Sequence, residues 1–291
     1  MLIDYKRPKL IAEIGCNHKG DMSIAKKLIE IAAESGVEVV KLQKRHSKEL
    51  LTEEQYNTPH PNPINSYGDT YGAHREFLEF SIDQHKELKY FAEKLGVIYS
   101  TSVWDITSAK EIISLEPELV KVPSACNNHF EMLKVLRDSY KGEVHISFGM
   151  TTKEEEEEIV VFFEEGGQAK RLVLYACTSG YPVPFEDVSM LEIVRIRKRF
   201  SDRVKSIGFS GHHLGIAVDL VAYTLGAEWV ERHFTLDRTW KGTDHSASLE
   251  PAGLKKLARD LKAAYTSLTY KDNDILEIEK VQRSKLKFRR Q

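Results

Sequence analysis

The sequence predicts an α/β protein, a single-domain (β/α)8 or TIM barrel, on three observations. Eight short runs rich in Val, Ile, Leu and Phe alternate with amphipathic stretches at helical spacing. Nearly every run ends, on its C-terminal side, in a polar or charged residue. The chain has 291 residues; such a barrel needs about 250, which leaves a short lead and a C-terminal extension. An open doubly wound sheet gathers its polar residues at one switch point, whereas a closed barrel gathers all eight strand ends around one axis.

The elements follow in chain order. Residues 10–14 form the first predicted strand. Ile24, Leu28, Ile31 and Ala32 share one face of a helix over 22–35, and Gly36 stands where a left-handed C-cap is needed. The second strand, 37–42, leads into a long second loop from Lys44 to Phe80, which Pro59, Pro61, Pro63 and Gly68 keep irregular. A loop of that length on that face is expected to cover an active site. Ser81 and Gln84 read as a capping box opening a helix that ends before Gly96. Strands at 97–101, 119–122, 143–148, 171–176, 204–209 and 229–234 complete the eight. Helices at 106–115, 129–139, 153–165, 187–200, 214–225 and 251–267 separate and follow them. Thr152 opens the helix at 153–165, whose run Glu154 to Glu158 reads as a solvated face near the positive helix end. The barrel domain is expected over 1–270 and the extension over 271–291. Its basic stretch, Lys280 to Arg290, reads as a solvated tail.

Composition narrows the function classes. A hydrophobic fraction of 41% supports a sizeable core. The 42 basic and 44 acidic residues nearly cancel, without the concentrated basic face of a nucleic-acid binder. Cys16, Cys126 and Cys177 are odd in number and far apart, with no CxxC spacing, which points to a reducing compartment and a cytoplasmic protein. Asp4, Lys6, Arg7 and Pro8 leave no room for a signal-peptide core, and no run of about 18 apolar residues exists to span a membrane.

The chemistry gathers at the strand ends. The segments 208–213 and 229–234 each read as a buried strand ending in histidine, with a helix between them. That unit brings His212 and His233 to one mouth of the barrel, where two imidazoles and open positions seat a divalent transition metal. Ser210 and His212 share a face of their strand, so His212 rather than His213 is the expected ligand. Lys41 and Lys121 sit at buried strand ends and need anionic partners. With Thr101, Ser124 and Ser210 they form a seat for a phosphate and a carboxylate. A Lys41–Glu13 ion pair is the structural alternative and is compatible with that role. Asp244, in the glycine-containing loop 241–248, either joins the metal shell or orients a hydroxyl. His245 is expected to face solvent, and His18 to serve a turn.

These motifs together resemble the sialic acid synthase (N-acetylneuraminate synthase) family over about residues 8–260. The matching segments are Ala12-Glu-Ile-Gly-Cys-Asn-His-Lys-Gly20, Val39-Val-Lys-Leu-Gln43, Ser100-Thr101, Lys121-Val-Pro-Ser124, Phe148-Gly-Met150, Cys177-Thr-Ser-Gly-Tyr-Pro182, Gly208-Phe-Ser-Gly-His212, Glu231-Arg-His-Phe-Thr235 and Gly242-Thr-Asp-His245. The resemblance implies condensation of phosphoenolpyruvate with an aldose such as N-acetylmannosamine, giving a 2-keto-3-deoxy sugar acid and phosphate. It implies a divalent metal, Mn2+, on His212 and His233, and a homodimer. Position by position, it places phosphoenolpyruvate on Lys41, Lys121, Ser124, Ser210 and Thr101. The sugar falls on Gln43, Tyr181 and Asp244. Ser179 stands where the family has asparagine near the phosphate, and Glu13 falls near the reacting carbons and the water.

Two positions depart from the pattern. Cys126 replaces an acid that contacts sugar hydroxyls, and Gly211 replaces an aspartate beside the metal histidine. The family's C-terminal antifreeze-like domain is expected to be missing here. Two alternatives stand beside this reading. One is a synthase of an eight-carbon acid from a phosphorylated pentose, which needs an extra basic site such as Arg75 or Lys44 with Arg45. The other is a non-catalytic sugar-binding barrel, against which the retention of both lysines and both histidines speaks.

Overall fold

Eight parallel strands close into a barrel in a computed structural model that describes residues 4–288. They are β1 (Lys9–Gly15), β2 (Val39–Lys44), β3 (Ile98–Val103), β4 (Leu119–Val122), β5 (Glu143–Ser147), β6 (Leu172–Cys177), β7 (Ser206–Gly211) and β8 (Trp229–His233). Each strand pairs with its successor in sequence, and β8 closes on β1, where Glu13 is the register partner of His233. On the other side of β1, Glu13 is the register partner of Lys41.

Parallel strands covered on both faces must be apolar outward as well as inward. The outward side chains meet the helices in two large clusters. One is built around Val120, Ile146, Leu174 and Phe209, the other around Leu10, Ala12, Val40 and Leu42. Inside the barrel, Ile11, Val39, Leu119, Val173, Tyr175 and Trp229 fill the lower layer. Gly208 makes room for that layer: a Cβ there would come within 2.6 Å of the Tyr175 ring. The apolar plug closes one end, so the polar strand ends face solvent only at the other.

The helices start and stop where local chemistry dictates. Met22–Ser35 is capped by the Asp21 carboxylate and ends at Gly36, whose φ of 85° suits a residue without Cβ. Ser81 and Gln84 form a capping box before Ile82–Lys94, and Thr152 and Glu155 form another before Lys153–Glu165. The expected helix at 214–225 is shorter, Ala217–Thr224. The one at 187–200 narrows to Leu191–Phe200, after a 3-10 turn at Phe185–Asp187.

Three local expectations are corrected. The second loop is irregular only in part: it holds short helices at Ser47–Leu50, Glu53–Asn57 and Tyr71–Phe77, the last two capped by Thr52 and Thr70, while the proline-bearing stretch 58–70 has no more than a 3-10 turn at Pro63–Asn65. Glu156 is not solvated. It shares an inward face with Ile159, Val160 and Phe163 and takes a two-pronged ion pair from Arg195 at 2.6 and 2.7 Å. His245 is buried rather than solvent-facing, its ring 2.7 Å from the Thr235 hydroxyl. His18 does serve a turn, its Nδ1 accepting from the Gly20 N–H at 3.1 Å. Beyond the barrel, the exposed helix Glu277–Leu286 carries much of the basic stretch expected as a tail; residues 289–291 lie outside the described residues.

Candidate active site

A cavity of about 470 Å³ opens at the C-terminal mouth of the barrel. Its floor is a layer of alternating charge. Lys41 Nζ lies 2.5 Å from Glu13 Oε2 and 3.8 Å from Glu231 Oε1, and Lys121 Nζ lies 3.1 Å from Glu231 Oε2. All four side chains are buried. Isolated ions there would be costly, and the alternation offsets their desolvation. The floor is tied in further by the Ser102 hydroxyl, 2.6 Å from Lys41 Nζ, and by the Ser210 hydroxyl, which donates to Glu231 Oε1 at 3.2 Å. The Lys121 ammonium also sits 3.6 Å above the centre of the Tyr175 ring, so the apolar plug supports the charged layer directly.

The two carboxyls are held in opposite senses. Burial and the neighbouring Glu231 charge push Glu13 up, against the pull of Lys41. Burial also works against Glu231, but Lys121 and Lys41 outweigh it and hold that carboxyl low. Burial lowers the Lys121 ammonium, with Glu231 opposing. Two nearby carboxyls whose environments drive them apart are the arrangement of a site that moves protons.

Gly15 permits this layer. Its φ is 54°, the strand register slips between Glu13 and Gly15, and an added Cβ would lie 3.1 Å from Gln43 Nε2 and 3.2 Å from Glu13 Oε1. Gln43 and Asp244 therefore meet Glu13 around one residue that has no side chain to obstruct them.

Beside Lys121, the Ser124 hydroxyl accepts from the Gly149 N–H at 2.9 Å. Ser179 borders the same glycine, within 2.4 Å of where a Cβ would sit. An ammonium, two hydroxyls and a turn glycine at one side of the cavity form a seat for a phosphate.

The imidazoles stand together. The rings of His212 and His233 are 5.4 Å apart, and the Tyr181 ring covers both, at 4.4 and 5.8 Å. The Thr178 carbonyl can only accept, so at 2.9 Å it fixes the proton of His212 on Nδ1 and leaves Nε2 with a free lone pair. Burial and the neighbouring His233 push His212 down to about 3; burial lowers His233 as well, with Asp244 opposing. His233 Nδ1 is buried with no hydrogen-bond partner and lies 3.9 Å from Asp244 Oδ2. Two neutral imidazoles, one oriented by a carbonyl and one with an orphaned nitrogen facing a carboxylate, fit a divalent cation. Among the described residues no three His, Cys, Asp or Glu side chains already stand in coordinating array. His213 is turned away, as strand alternation requires, into a buried cluster with Asp219 and Arg232.

The structure thus brings together Glu13, Lys41, Gln43, Lys121, Ser124, Ser179, Tyr181, Ser210, His212, His233 and Asp244 around one cavity. Thr101 is the exception. Its hydroxyl donates to the Tyr99 hydroxyl at 2.6 Å on the helix side of β3. Ser102, one residue on, takes the cavity position. Register shows why: Gln43 lies opposite Ser102 and Lys41 opposite Ser100, so Thr101 belongs to the outward set. Counting by twos from Lys41 reaches Gln43, and the register with β3 then carries the cavity face to Ser102. Glu231 was visible as a polar strand end, yet its role as the carboxylate shared by both lysines required the closed barrel.

Comparison with known proteins is consistent across sequence and structure. The NeuB family model matches residues 28–273. N-acetylneuraminate-9-phosphate synthase of Homo sapiens is 36% identical over 278 residues, which cover 95% of this chain and 76% of that protein. N,N'-diacetyllegionaminic acid synthase of Campylobacter jejuni is 33% identical over 258 residues, 88% of this chain and 76% of that one. The crystal structure of an N-acetylneuraminic acid (sialic acid) synthetase from Leptospira borgpetersenii, in complex with citrate, superposes with a TM-score of 0.80 at 26% identity, covering 97% of this chain and 93% of that chain.

Proposed function

This chain belongs to the NeuB family, and from that membership we infer that it condenses phosphoenolpyruvate with an aldose of the N-acetylmannosamine kind. The products are a 2-keto-3-deoxy sugar acid and inorganic phosphate. The observation that supports this reading most directly is the buried Glu13–Lys41–Glu231–Lys121 layer beneath two neutral imidazoles.

The enol carbon of phosphoenolpyruvate forms a bond to the aldehyde carbon of the open-chain sugar, whose oxygen takes up a proton. Positive charge develops at C2 of the donor. Water adds there and gives up a proton. The bond from C2 to the phosphate oxygen then breaks, phosphate leaves with the electron pair, the C2 hydroxyl gives its remaining proton to the departing phosphate, and the ketone remains.

Lys121, Ser124, Ser179 and the Gly149 region hold the phosphate as it departs, and Lys41 with Ser102 and Ser210 holds the donor carboxylate. Glu13, raised by burial beside Lys41, is suited to exchange a proton with the attacking water. Tyr181, Gln43 and Asp244 line the sugar side. A divalent cation, manganese in this reading, would be held by His212 and His233 with Asp244 beside them, and when bound it makes the aldehyde carbon more electrophilic.

Phosphate release from phosphoenolpyruvate is the test, with a panel of aldoses, with and without manganese and a chelator. Release that requires an aldose and is abolished by the chelator supports the synthase. No release with any aldose leaves a sugar-binding barrel. We also take the assembly to be a homodimer in the cytoplasm; sedimentation as a monomer at micromolar concentration contradicts the first. The three cysteines, all free, accord with a reducing compartment. Among the described residues no helix is long and apolar enough to cross a membrane.

A further inference from the structure

Beneath the charged floor of the cavity runs a buried polar chain that no step of the reaction uses. The Tyr175 ring stands under Lys121, its centre 3.6 Å from the ammonium nitrogen. The Tyr175 hydroxyl lies 2.7 Å from His145 Nδ1, and His145 Nε2 lies 3.4 Å from Glu143 Oε2. Glu143, the first residue of β5, takes an ion pair from Lys205 at 2.7 Å. Tyr175 and His145 are fully buried among the apolar side chains of the lower layer.

The direction of this chain follows from its far end. Burial would raise the Glu143 carboxyl, but His145 and Lys205 hold it down to about 2. A carboxylate only accepts, so the His145 proton sits on Nε2, and Nδ1 accepts from the Tyr175 hydroxyl. Burial pushes His145 down to about 4, against Glu143 and with Lys121, so the imidazole stays neutral near the ammonium. Hydrogen bonds that run in one direction polarise each other. A phenol that donates to an imidazole therefore carries more negative charge on its ring face, and such a face attracts a cation. Gly208 leaves the ring its room and His145 pins its far end, so the face is held in one orientation.

Lys121 needs that face. Around its ammonium stand Glu231 of β8, Lys41 of β2, Cys177 of β6 and His145 of β5. Glu231 is the one carboxylate bonded to it, and Lys41 shares that carboxylate. The Tyr175 ring is the second attraction on the ammonium. We propose that Tyr175 is a positioning residue for the donor phosphate: its ring, pinned by His145, holds the Lys121 ammonium in place beside the Ser124–Gly149 seat. The role rests on the synthase reading above for the identity of that anion.

Calorimetric titration of phosphoenolpyruvate, and separately of manganese, into the wild type, Tyr175→Phe and Tyr175→trifluorophenylalanine tests this without depending on turnover. Fluorine draws charge from the ring face and nearly keeps its shape. Tyr175→Phe retains the face and should bind phosphoenolpyruvate within about threefold of the wild type. The fluorinated ring should weaken that binding by about 3- to 30-fold more, with manganese affinity and melting temperature equal in the two variants. Its phosphoenolpyruvate affinity should also begin to fall about one pH unit lower, because a weaker face disfavours the charged lysine. Equal phosphoenolpyruvate affinity with and without fluorine overturns the role. So does a loss that manganese binding shares, which would mark a disturbed core. Phosphate-release assays on the same samples, with aldoses present, separate the two readings. Ring-dependent binding of phosphoenolpyruvate without release sinks the synthase and leaves the positioning role standing.

Discussion

Arg232 grips Asp219 at 2.5 Å in an ion pair that is fully buried behind the two cavity imidazoles. The same guanidinium donates to the backbone carbonyls of His213 at 2.5 Å and Gly215 at 2.8 Å. Arg232 precedes His233 in β8, and His213 follows His212 after β7. The pair therefore fixes the spacing of the two chain segments that carry the imidazoles. Removing one partner of a buried ion pair leaves an uncompensated charge. Asp219→Ala is expected to lower stability by about 3–5 kcal/mol in urea unfolding, and manganese retention should fall in the fraction that stays folded. An unchanged urea midpoint would show that the clamp does not hold this part of the barrel.

The floor makes a different prediction. Lys121 is the ammonium nearest the Ser124–Gly149 seat and half of what neutralises Glu231. Lys121→Met keeps an unbranched apolar side chain beside Tyr175 and deletes the charge that sits over its ring. The expected result is a loss of roughly 100-fold or more in kcat/KM for phosphoenolpyruvate, since charge-assisted contacts to phosphate are the strong ones. Glu231→Gln should be milder, because both lysines keep a hydrogen-bonding neighbour. Phosphate-release kinetics on the two variants decide it: comparable losses would mean that the layer acts only as scaffolding.

The imidazoles carry the metal prediction. His233 packs against Tyr181 and His212 without a hydrogen bond to Nδ1, so truncating it removes a ligand and little of the core. His233→Ala is expected to unfold near the wild-type temperature while manganese binding, read by calorimetry, weakens at least tenfold. Wild-type turnover by that variant in the presence of a chelator would overturn the assignment of His212 and His233 as ligands.

The barrel and most of the mouth were legible because two local signals coincide. Apolar runs with β-branched residues recur between helical stretches, and each run stops at a residue that cannot be buried alone, such as Lys41 or His233. Side-chain parity was legible too, and it separated His212 from His213. What was not legible depends on closure. Glu231 shares its carboxylate with Lys41 and Lys121, which lie 190 and 110 positions earlier in the chain, and no pattern within one strand encodes that. The second loop misled for another reason: its prolines drew attention from the N-caps Thr52 and Thr70, which start short helices on either side of the proline stretch. Thr101 is picked out as the polar end of its strand and again by family position, and neither carries the parity that turns it outward. Thr101→Val should therefore cost about 1 kcal/mol, through the lost hydrogen bond to Tyr99, and Ser102→Ala should raise the KM for phosphoenolpyruvate. The reverse pattern would return Thr101 to the site.

Two buried histidines that do not belong to the proposed cation seat, His85 and His145, contribute to the acid sensitivity of the fold. His85, on the helix Ile82–Lys94, is buried with its Nδ1 2.7 Å from the Tyr99 hydroxyl. His145, in β5, is buried with its Nδ1 2.7 Å from the Tyr175 hydroxyl and its ring edge-on to Trp229. Burial, with Lys44 and His18 adding to it, pushes His85 from 6.5 to about 3. Burial pushes His145 to about 4, Lys121 adding and Glu143 opposing. The folded protein therefore keeps both rings neutral at pH values where the unfolded chain has already protonated them. Stability from these groups is complete above pH 6.5 and is lost as pH falls from there toward 4. Each contributes up to about 1.4 kcal/mol per pH unit in that window. Urea unfolding at pH 7.5, 6.0 and 5.0 should show this decline, and His85→Gln or His145→Gln should flatten it by about one proton's worth each. Slopes that match the wild type in both variants would mean that the acid sensitivity arises elsewhere.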